Sequence, residues 1–410
     1  MGRDEGKEIV NDRNKMKTKN TASFIGLLVL FGTGLLIFLL CSKVKIVTNW
    51  LPYSEIVRGV MDNKLFYKVI WIIKDFSEGQ FYGGLFAGIG VILGAVIAWR
   101  LDVKNSKYAG IRISYGLNIW PWVFASQVLT ITISVFVLQH LSFLDNDIFT
   151  WLPTFLFLVG APQAIMCTYG PNIKALFTGS ILGALLTLPI ANWIALYIME
   201  PLNMPNTISN YFALASAGTI VMQTCKLLPW IKKKEFQLIN EPSNLRKDEI
   251  QEMLNRPDWI IRRTLADFTD PLFYGNEIAT IFLILGAMID WFINSKHGFL
   301  GSQIFPAILF SQLLSGGVAV YLYGKKHLEN GWYPTYIPVV SIAPFCVISF
   351  GPKLSVILFS SILGGIIGPP FAGLLNRNLP EHLHGYIPNV LAMGITTMFV
   401  ISTMNYLPWF

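Results

Sequence analysis

Residues 75–99 read DFSEGQFYGGLFAGIGVILGAVIAW, and residues 267–291 read DFTDPLFYGNEIATIFLILGAMIDW. Both stretches start with Asp-Phe, continue with Phe-Tyr-Gly, carry Gly-Ala within an apolar run and end on Trp. Similarity of this length between two parts of one chain indicates an internal duplication. Many transporter folds are built from two related halves, so the duplication favours a membrane protein with a site between its halves.

The similarity continues through both halves of the chain in the same order. The further aligned positions, first half before second half, are 61–78 with 253–270, Pro121 with Pro306, Ser126-Gln127 with Ser311-Gln312, Trp151 with Trp332, Pro153-Thr154 with Pro334-Thr335, Gly170-Pro171 with Gly351-Pro352, 180–183 with 361–364, and Asn210 with Asn389. The sequence therefore predicts a first membrane repeat over residues 81–224 and a second over 271–410.

The composition points to a membrane protein. The chain has 410 residues, of which 53% are hydrophobic and only 13% are charged, and its mean hydropathy is +0.52. A soluble domain is about 25% charged. Several apolar runs reach about 20 residues, enough to cross a bilayer as a helix. Lipid forces each crossing segment to satisfy its own backbone, so helices are expected throughout.

The apolar segments follow a regular count. A first span covers residues 21–42, and each repeat then offers five apolar segments. These segments are 82–99, 118–141, 150–169, 173–199 and 206–224 in repeat 1, and 274–293, 300–323, 332–350, 354–376 and 386–408 in repeat 2. We predict an all-α polytopic membrane protein with about 11 transmembrane helices, one leading helix followed by two five-segment repeats. Because five is odd, the second repeat is predicted to be inverted relative to the first.

Polar segments flank the repeats and set the predicted orientation. Residues 1–20 form a basic leader, 43–80 an amphipathic interfacial segment, and 225–270 a polar connector with an amphipathic helix that leads into repeat 2. Positive charge marks the cytoplasmic side. This rule predicts a cytoplasmic N-terminus and connector and an extracytoplasmic C-terminus. We expect the protein in the cell membrane. The six basic residues of 43–80 oppose the rule if that segment lies outside.

No cofactor, metal site or nucleic-acid partner is indicated by the sequence. The four cysteines are scattered without a CxxC pair, and the net charge of +7 lies mostly in loops. No P-loop, HExxH, GxSxG or Rossmann fingerprint occurs. The expected partners are the lipid bilayer, a small-molecule solute and a coupling H⁺ or Na⁺. The sequence leaves open whether the protein forms a homo-oligomer or binds an accessory subunit.

Paired glycines and prolines mark breaks in the predicted helices. Gly170-Pro171 and Gly351-Pro352 separate the third and fourth segments, and Pro189 aligns with Pro370 in the fourth. Proline removes a backbone donor, and broken helices bind ions and substrates in known carriers. Two interpretations stay open. One is a tight turn at the membrane surface between full crossings, which the segment lengths favour, and the other is a re-entrant, site-forming break.

Polar side chains near these breaks and within the spans are candidates to bind the substrate. Ser126-Gln127 and Ser311-Gln312 lie in the middle of the second segments, where a polar pair needs partners or lines a cavity. The predicted substrate-binding residues are Gln127, Gln312, Gln163, Thr168, Asn172, Ser349 and Lys353.

Two acids lie within the first segment of repeat 2. Glu277 and Asp290 align with Leu85 and Ala98, so the duplicated unit did not require them. An unpaired charge in the membrane interior costs at least about 2.5 kcal/mol, which makes both acids candidates to bind the coupling ion. Both also lie near the ends of the segment, where a carboxylate can reach water.

These features favour an integral membrane secondary transporter, a permease that moves a small polar organic solute by alternating access with H⁺ or Na⁺. An intramembrane enzyme acting on a lipid-linked substrate would need a catalytic acid, base or His at depth. We therefore expect no catalytic residues and no enzymatic activity. The enzyme and a non-transporting sensor or scaffold are the alternatives.

Overall fold

The computed structural model describes residues 20–44, 50–111, 119–144, 151–233, 245–294, 296, 298 and 300–410. Of these residues 75% are helical, and none of them lies in a strand. The all-helical prediction is confirmed for this part of the chain. The predicted leader, residues 1–20, lies outside the described residues except for Asn20.

Fifteen α-helices follow one another in the described ranges. Up to the polar connector they are α1 (Phe24–Cys41), α2 (Tyr53–Met61), α3 (Leu65–Asp75), α4 (Leu85–Val103), α5 (Trp120–Thr132), α6 (Ala161–Tyr169), α7 (Ile173–Ile194) and α8 (Ser209–Leu227). After it they are α9 (Lys247–Asn255), α10 (Pro257–Asp267), α11 (Glu277–Ile293), α12 (Phe305–Asn330), α13 (Ile342–Phe350), α14 (Leu354–Asn376) and α15 (Tyr386–Asn405).

Shorter helical turns join or extend these helices. The π-helical turns are Glu78–Tyr82, Ile133–Val137 and Ala195–Met199. The 3₁₀ turns are His140–Phe143, Thr154–Leu158, Asn206–Ile208 and Leu300–Ile304. Two of the π-helical turns directly extend α5 and α7, so these helices continue further than their α-helical bounds.

Seven helices of the described residues are long and apolar enough to cross a membrane. They cover Phe24–Cys41, Leu85–Val103, Trp120–Val137, Ile173–Met199, Gly301–Asn330, Leu354–Asn376 and Tyr386–Asn405. The other four predicted segments correspond to α8, α11 and the two short helices α6 and α13. The chain is therefore a helical, apolar-rich protein compatible with embedding in a membrane.

The helices of the two halves begin at aligned residues. Helix α3 spans residues 65–75 and α10 spans 257–267, so both pairs of ends match in the alignment. The starts of α4 and α11, α5 and α12, α6 and α13, and α7 and α14 coincide in the same way. The corresponding sequence patterns thus produce corresponding local structure.

The third segment of each half differs from the continuous helix that its apolar pattern favours. Helices α6 and α13 have nine residues each, a length of about 14 Å, whereas the hydrocarbon core of a bilayer is about 30 Å thick. The backbone before α6 is irregular, with a 3₁₀ turn at Thr154–Leu158. Prolines such as Pro153 and Pro334 remove donors that a longer helix would need. The expectation of helices throughout is therefore not met within 151–169 and 332–350, and whether these segments cross the bilayer or are re-entrant stays open.

Helices α4 and α11 form the closest helix crossing between the halves. An added Cβ on Gly94 would lie 2.8 Å from Ala279 Cα, and one on Gly286 would lie 2.7 Å from Ala87 Cα. The two glycines are aligned, and so are the two alanines. Small residues allow such close backbone approach. Because Gly94 meets the start of α11 and Gly286 meets the start of α4, the two helices are antiparallel.

Helix α12 is the most buried of the candidate spans, and α1 packs along it. The Ala22 N–H donates to the carbonyl of Tyr321 at 2.9 Å, and Gly34 lies against the Phe310 ring. Most of α1 is left exposed on its other side. The leading helix is therefore a peripheral element that covers α12.

Candidate functional site

Two irregular loops reach the centre of the molecule, one from each half. The first, residues 76–84, joins α3 to α4, and the second, residues 268–276, joins α10 to α11. Each contains the Phe-Tyr-Gly signature of the alignment. The glycine of that signature has a left-handed backbone in both loops, with φ of 52° at Gly83 and 53° at Gly275, which glycine adopts at little cost. We call these two segments the central loops.

The tyrosines of the central loops bind the opposite half of the molecule. Tyr82 Oη donates to Gln312 Oε1 at 2.6 Å, and Tyr274 Oη donates to Gln127 Oε1 at 2.6 Å. Tyr82 aligns with Tyr274, and Gln127 aligns with Gln312. Each half therefore supplies the same donor and the same acceptor to the other.

The same glutamines hold the irregular third segments. Gln127 Nε2 donates to the carbonyl of Leu158 at 2.7 Å, and Gln312 Nε2 donates to the carbonyl of Val339 at 3.0 Å. These two carbonyls are aligned residues as well. Buried carbonyls need such partners when no helix supplies them. The structure thus places Gln127 and Gln312 as links between the third segments and the central loops.

A cavity lies where the central loops meet the third and last segments of both halves. Its lining is Glu78, Gln80, Phe155, Leu156, Val159, Asn210, Tyr211, Leu214, Asp270, Pro271, Phe273, Tyr336, Val340, Tyr386, Val390 and Met393. Its volume, taken as the space open to the centre of a water molecule, is about 40 Å³. One water needs roughly 10–15 Å³ on this scale, so the cavity holds a few waters in this conformation.

Both halves contribute equivalent residues to this cavity. The aligned pairs among the lining residues are Glu78 with Asp270, Phe155 with Tyr336, Val159 with Val340, Tyr211 with Val390, and Leu214 with Met393. Aromatic rings and aliphatic chains form most of the wall, and two carboxylates and two amides are its polar side chains besides tyrosine hydroxyls. None of the lining residues is a lysine, an arginine or a histidine.

In the second half the cavity carboxylate belongs to a buried ion cluster. Arg263 Nη2 donates to Asp267 Oδ1 at 2.6 Å and to Asp270 Oδ2 at 2.8 Å. Thr335 Oγ1 donates to the same oxygen of Asp267 at 3.0 Å. Arg263, Asp267, Asp270 and Thr335 are all buried. One guanidinium therefore serves two carboxylates.

In the first half a tryptophan stands where the second half has the arginine. Trp71 Nε1 donates to Thr154 Oγ1 at 2.7 Å, and Thr154 Oγ1 donates to Asp75 Oδ2 at 2.5 Å. Trp71, Thr154 and Asp75 align with Arg263, Thr335 and Asp267. The threonine-to-aspartate bond is thus common to both halves, whereas the guanidinium is specific to the second.

Glu78 is the first-half counterpart of Asp270 and has no such partner. Its side chain is buried, and among the described residues its Oε2 atom has no hydrogen-bond partner. Its backbone φ is 55°, in the left-handed region that non-glycine residues rarely adopt. Residues held in such conformations cluster at binding sites and switches. Glu78 is therefore the feature of the cavity that most needs a functional explanation.

The other predicted substrate-binding residues lie away from the cavity. Gln163 is buried in the first turn of α6, where its Oε1 accepts from the Gly160 N–H at 2.8 Å. Thr168 donates to the Ala164 carbonyl at 2.8 Å within the same helix. Asn172 begins α7, where its Oδ1 accepts from the Lys174 N–H at 3.0 Å.

The remaining two candidates of this group, Ser349 and Lys353, are exposed at the end of α13 and the start of α14. Neither lies among the lining residues of the cavity. The structure thus does not bring the predicted substrate-binding residues together at one site, and their predicted role stays a prediction.

The two acids predicted to bind an ion contact the first half of the chain. Glu277 accepts from Arg262 Nε at 2.9 Å and from the Ile111 N–H at 2.7 Å. Asp290 accepts from the N–H groups of Phe86 at 3.1 Å and Ala87 at 2.8 Å, which are free donors at the start of α4. Both acids therefore have partners that hold α11 against the first half. Their predicted role in ion coupling stays a prediction.

The predicted helix breaks take two forms. Gly170 and Gly351 end α6 and α13 with φ of 76° and 86°, so each Gly-Pro pair lies between a half-length helix and a long one. Pro189 and Pro370 lie inside α7 and α14, which continue past them. The breaks that interrupt the fold are thus those of the third segments.

Sequence reasoning missed Glu78 and Asp270. A signal was present, because both acids end the aligned stretches 61–78 and 253–270, and in each half only two residues separate the acid from the Phe-Tyr-Gly signature. Within the described residues no group of three or more His, Cys, Asp or Glu side chains could hold a metal ion.

Comparison with protein-family models, with curated proteins and with solved structures finds no match for this chain.

Proposed function

We propose that the chain is a secondary transporter that moves a small polar organic solute by alternating access, with the central cavity as its substrate site. The observation that carries this proposal is the cavity itself. It lies between two halves that contribute aligned residues, and it contains a buried carboxylate oxygen without a partner among the described residues. In known carriers of this architecture the site lies at the interface of the two repeats.

The proposed architecture is two inverted five-segment repeats after a leading helix, with 11 crossings in all. The antiparallel crossing of α4 and α11 supports the inversion. The reciprocal bonds of Tyr82 with Gln312 and of Tyr274 with Gln127 support a two-fold relation between the halves. The crossings beyond the seven candidate spans would be α8, α11 and the two third segments.

The half-length helices support the transport mechanism. Irregular backbone at membrane depth is tolerated where it is buried in protein or lines a cavity. Phe155, Leu156 and Val159 of the irregular stretch before α6 line the cavity, as do Tyr336 and Val340 before α13. Each half would thus present a broken helix to the substrate, and movement of one half against the other would open the cavity to either side.

The lining indicates the kind of solute. Polar recognition would come from Glu78, Asp270, Gln80 and Asn210, and the aromatic walls would contact apolar parts of the molecule. The small volume in this conformation favours a small solute.

We place the transporter in the cell membrane with a cytoplasmic N-terminus and an extracytoplasmic C-terminus, following the distribution of basic residues. The bilayer would be its surroundings, with a homo-oligomer or an accessory subunit as further partners.

The test is uptake into proteoliposomes under an imposed H⁺ or Na⁺ gradient, screened across amino acids, sugars, nucleobases and carboxylates. We expect accumulation of one of these classes by the wild-type protein. Chemical turnover without movement across the bilayer would favour an intramembrane enzyme. If correctly folded protein transports none of the tested solutes, the result would favour a sensor or scaffold.

Variants that fill the cavity test whether the solute binds there. Leu214→Trp in the first half and Met393→Trp at the aligned position in the second should both abolish uptake, because these side chains line the cavity. Leu93→Trp is the matched control, since Leu93 is 51% exposed on the outer face of α4. Thermal unfolding identifies variants that fail to fold. Uptake that survives both cavity variants would exclude this cavity as the site.

The predicted role of Glu277 has its own test. If Glu277 binds the coupling ion, Glu277→Gln abolishes gradient-driven uptake and leaves counterflow exchange intact. Unchanged accumulation in that variant would remove Glu277 from the mechanism and leave its bonds to Arg262 and Ile111 as its role. The same comparison applies to Asp290→Asn.

A further inference from the structure

We propose that Glu78 carries the coupling proton of transport, and that Arg263 excludes the equivalent acid, Asp270, from that role. The proposal rests on the proposed transport function and names the group that couples it to a gradient. The step is simple: the Glu78 carboxylate accepts one proton from the side of higher proton concentration and releases it on the other side. No other bond forms or breaks.

The position of Glu78 is the first argument. The side chain is 3% exposed, it faces the cavity, and its Oε2 atom has no hydrogen-bond partner among the described residues. An ionised carboxylate in such a place is costly unless it is paired and hydrogen-bonded. Protonation removes the charge while the cavity is closed, and access to water on either side allows the proton to leave.

The groups around Glu78 are the second argument, because none of them supplies a compensating positive charge. The facing titratable groups are Tyr82 on its own loop, Tyr211 on α8, Asp270 on the other central loop, Tyr336 before α13 and Tyr386 on α15. The only acid among them is Asp270. Arg263 is ion-paired with Asp267 and Asp270 and does not line the cavity.

The chemistry of the lining favours a proton over a metal cation. A bound cation such as Ca²⁺ or Mg²⁺ takes six or more oxygen ligands, whereas a proton needs a single carboxylate. The wall of the cavity consists mainly of aromatic and aliphatic side chains. Glu78 Oε2 has no partner among the described residues, so no assembled ligand shell surrounds that atom, and a proton carrier requires none.

The second half shows how the two equivalent acids differ in their partners. The Arg263 guanidinium is always charged and lies 2.8 Å from Asp270 Oδ2. Asp270 therefore has a fixed ion-pair partner. At the aligned position of the first half, Trp71 donates a hydrogen bond to Thr154 and carries no charge. The exchange of arginine for tryptophan thus leaves Glu78 without a fixed counter-charge.

Infrared difference spectroscopy on the purified full-length protein tests this without a known substrate. The probe is the C=O stretch of a protonated carboxylic acid, followed between acid and alkaline pH and identified by its shift in D₂O. We expect a titrating band in the wild type that disappears in Glu78→Gln. The band should persist in Asp270→Asn and in Asp258→Asn, an exposed acid near the start of α10. A band of unchanged intensity in Glu78→Gln would overturn the proposal.

A second variant transfers the second-half arrangement to the first half. Trp71→Arg places a guanidinium at the position of Arg263 and should hold Glu78 ionised, so the acid band is lost although Glu78 is present. Trp71→Phe controls for loss of the indole hydrogen bond and should keep the band. Thermal unfolding confirms that both variants fold. Retention of the band in folded Trp71→Arg would contradict the proposed role of the guanidinium.

Transport assays then separate this inference from the function on which it rests. If the wild type accumulates a solute, Glu78→Gln should lose proton-driven accumulation and keep counterflow exchange. Wild-type accumulation by Glu78→Gln would overturn the coupling role and leave the transport function standing. If no solute moves even in the wild type, the transport function fails, while the infrared band still reports whether Glu78 binds a proton.

Discussion

The two acidic sites beside the cavity have the same framework and opposite electrostatics. In the second half, Arg263 neutralises part of the charge of Asp267 and Asp270. In the first half, the aligned Trp71 only donates a hydrogen bond, and Glu78 keeps an oxygen without a partner among the described residues. Two similar halves can therefore hold one acid in a fixed ion pair and leave an oxygen of the other without a partner among the described residues.

The helix crossing of α4 and α11 shows the contrary case. Gly94 and Gly286 meet Ala279 and Ala87 in equivalent contacts, so both halves use the same residues for the same purpose. The small residues of this crossing are alike in the two halves, whereas the aligned cavity acids Glu78 and Asp270 have different partners. The following predictions test this distinction, from the largest expected effect to the smallest.

Arg263→Met should destabilise the protein by about 3–5 kcal/mol, because removal of one partner leaves buried carboxylates without a counter-charge. Unfolding in mixed micelles measures the loss. The control is Arg256→Met, which breaks an exposed pair with Asp258 and should have little effect. Combining Arg263→Met with Asp267→Asn and Asp270→Asn should restore much of the stability. Equal stability of Arg263→Met and the wild type would contradict the ion cluster.

Gly94→Ala and Gly286→Ala should each cost about 1–3 kcal/mol through overpacking. The new Cβ would lie 2.8 Å from Ala279 Cα in one case and 2.2 Å from the Phe86 carbonyl oxygen in the other. Gly32→Ala on α1 is the matched control, since no atom lies within 4 Å of the position that its new Cβ would take. A large loss in one glycine variant with none in the other would break the equivalence of the crossing.

Tyr82→Phe and Tyr274→Phe should each cost about 0.5–1.5 kcal/mol, the net value of a typical hydrogen bond. Each removes the donor to the glutamine of the opposite half. Tyr197→Phe serves as the control, because Tyr197 is 67% exposed. Double-mutant cycles with Gln312→Leu and Gln127→Leu measure the two couplings directly. Coupling in one pair alone would show that the reciprocal bonds are not equivalent in energy.

The smallest effect concerns the exposed pair of Arg256 and Asp258, the surface counterpart of the buried cluster. The hydrogen bond and the charge of Arg256 lower the pKa of Asp258. Its small contribution to stability is therefore present above the ordinary pKa of aspartate, and it is lost as the pH falls through the lowered value. The difference in stability between wild type and Arg256→Met should shrink over that acid range. A difference that grew on acidification would contradict the sign of the shift.

Much of the framework could be predicted from the sequence. The apolar composition and run lengths indicated a helical membrane protein, and the helices of the two halves do begin at aligned residues. The polar pair Ser126-Gln127 and its counterpart were recognised as needing partners. Such features can be predicted because lipid and helix geometry constrain residues that are close in the sequence. These constraints produce a periodic or repeated pattern of residue types.

The third segments were misread for a physical reason. Their apolar residues indicate burial, but burial within protein and burial in lipid produce the same composition. Only the fold shows that Gln127 and Gln312 supply the donors that satisfy irregular backbone there. A continuous helix was therefore not required, although the pattern of 150–169 and 332–350 favoured one.

The sequence by itself indicated a helical, apolar-rich protein, the similarity of its two halves and the places where helices begin, because these depend on local composition and spacing. Only the tertiary structure decided which polar groups are paired. Tyr82 and Gln312 are 230 residues apart, and the isolation of Glu78 is visible only when every neighbour of its oxygen is in place. Charge in a buried site depends on those distant neighbours, and for that reason the sequence pattern did not single out Glu78 and Asp270.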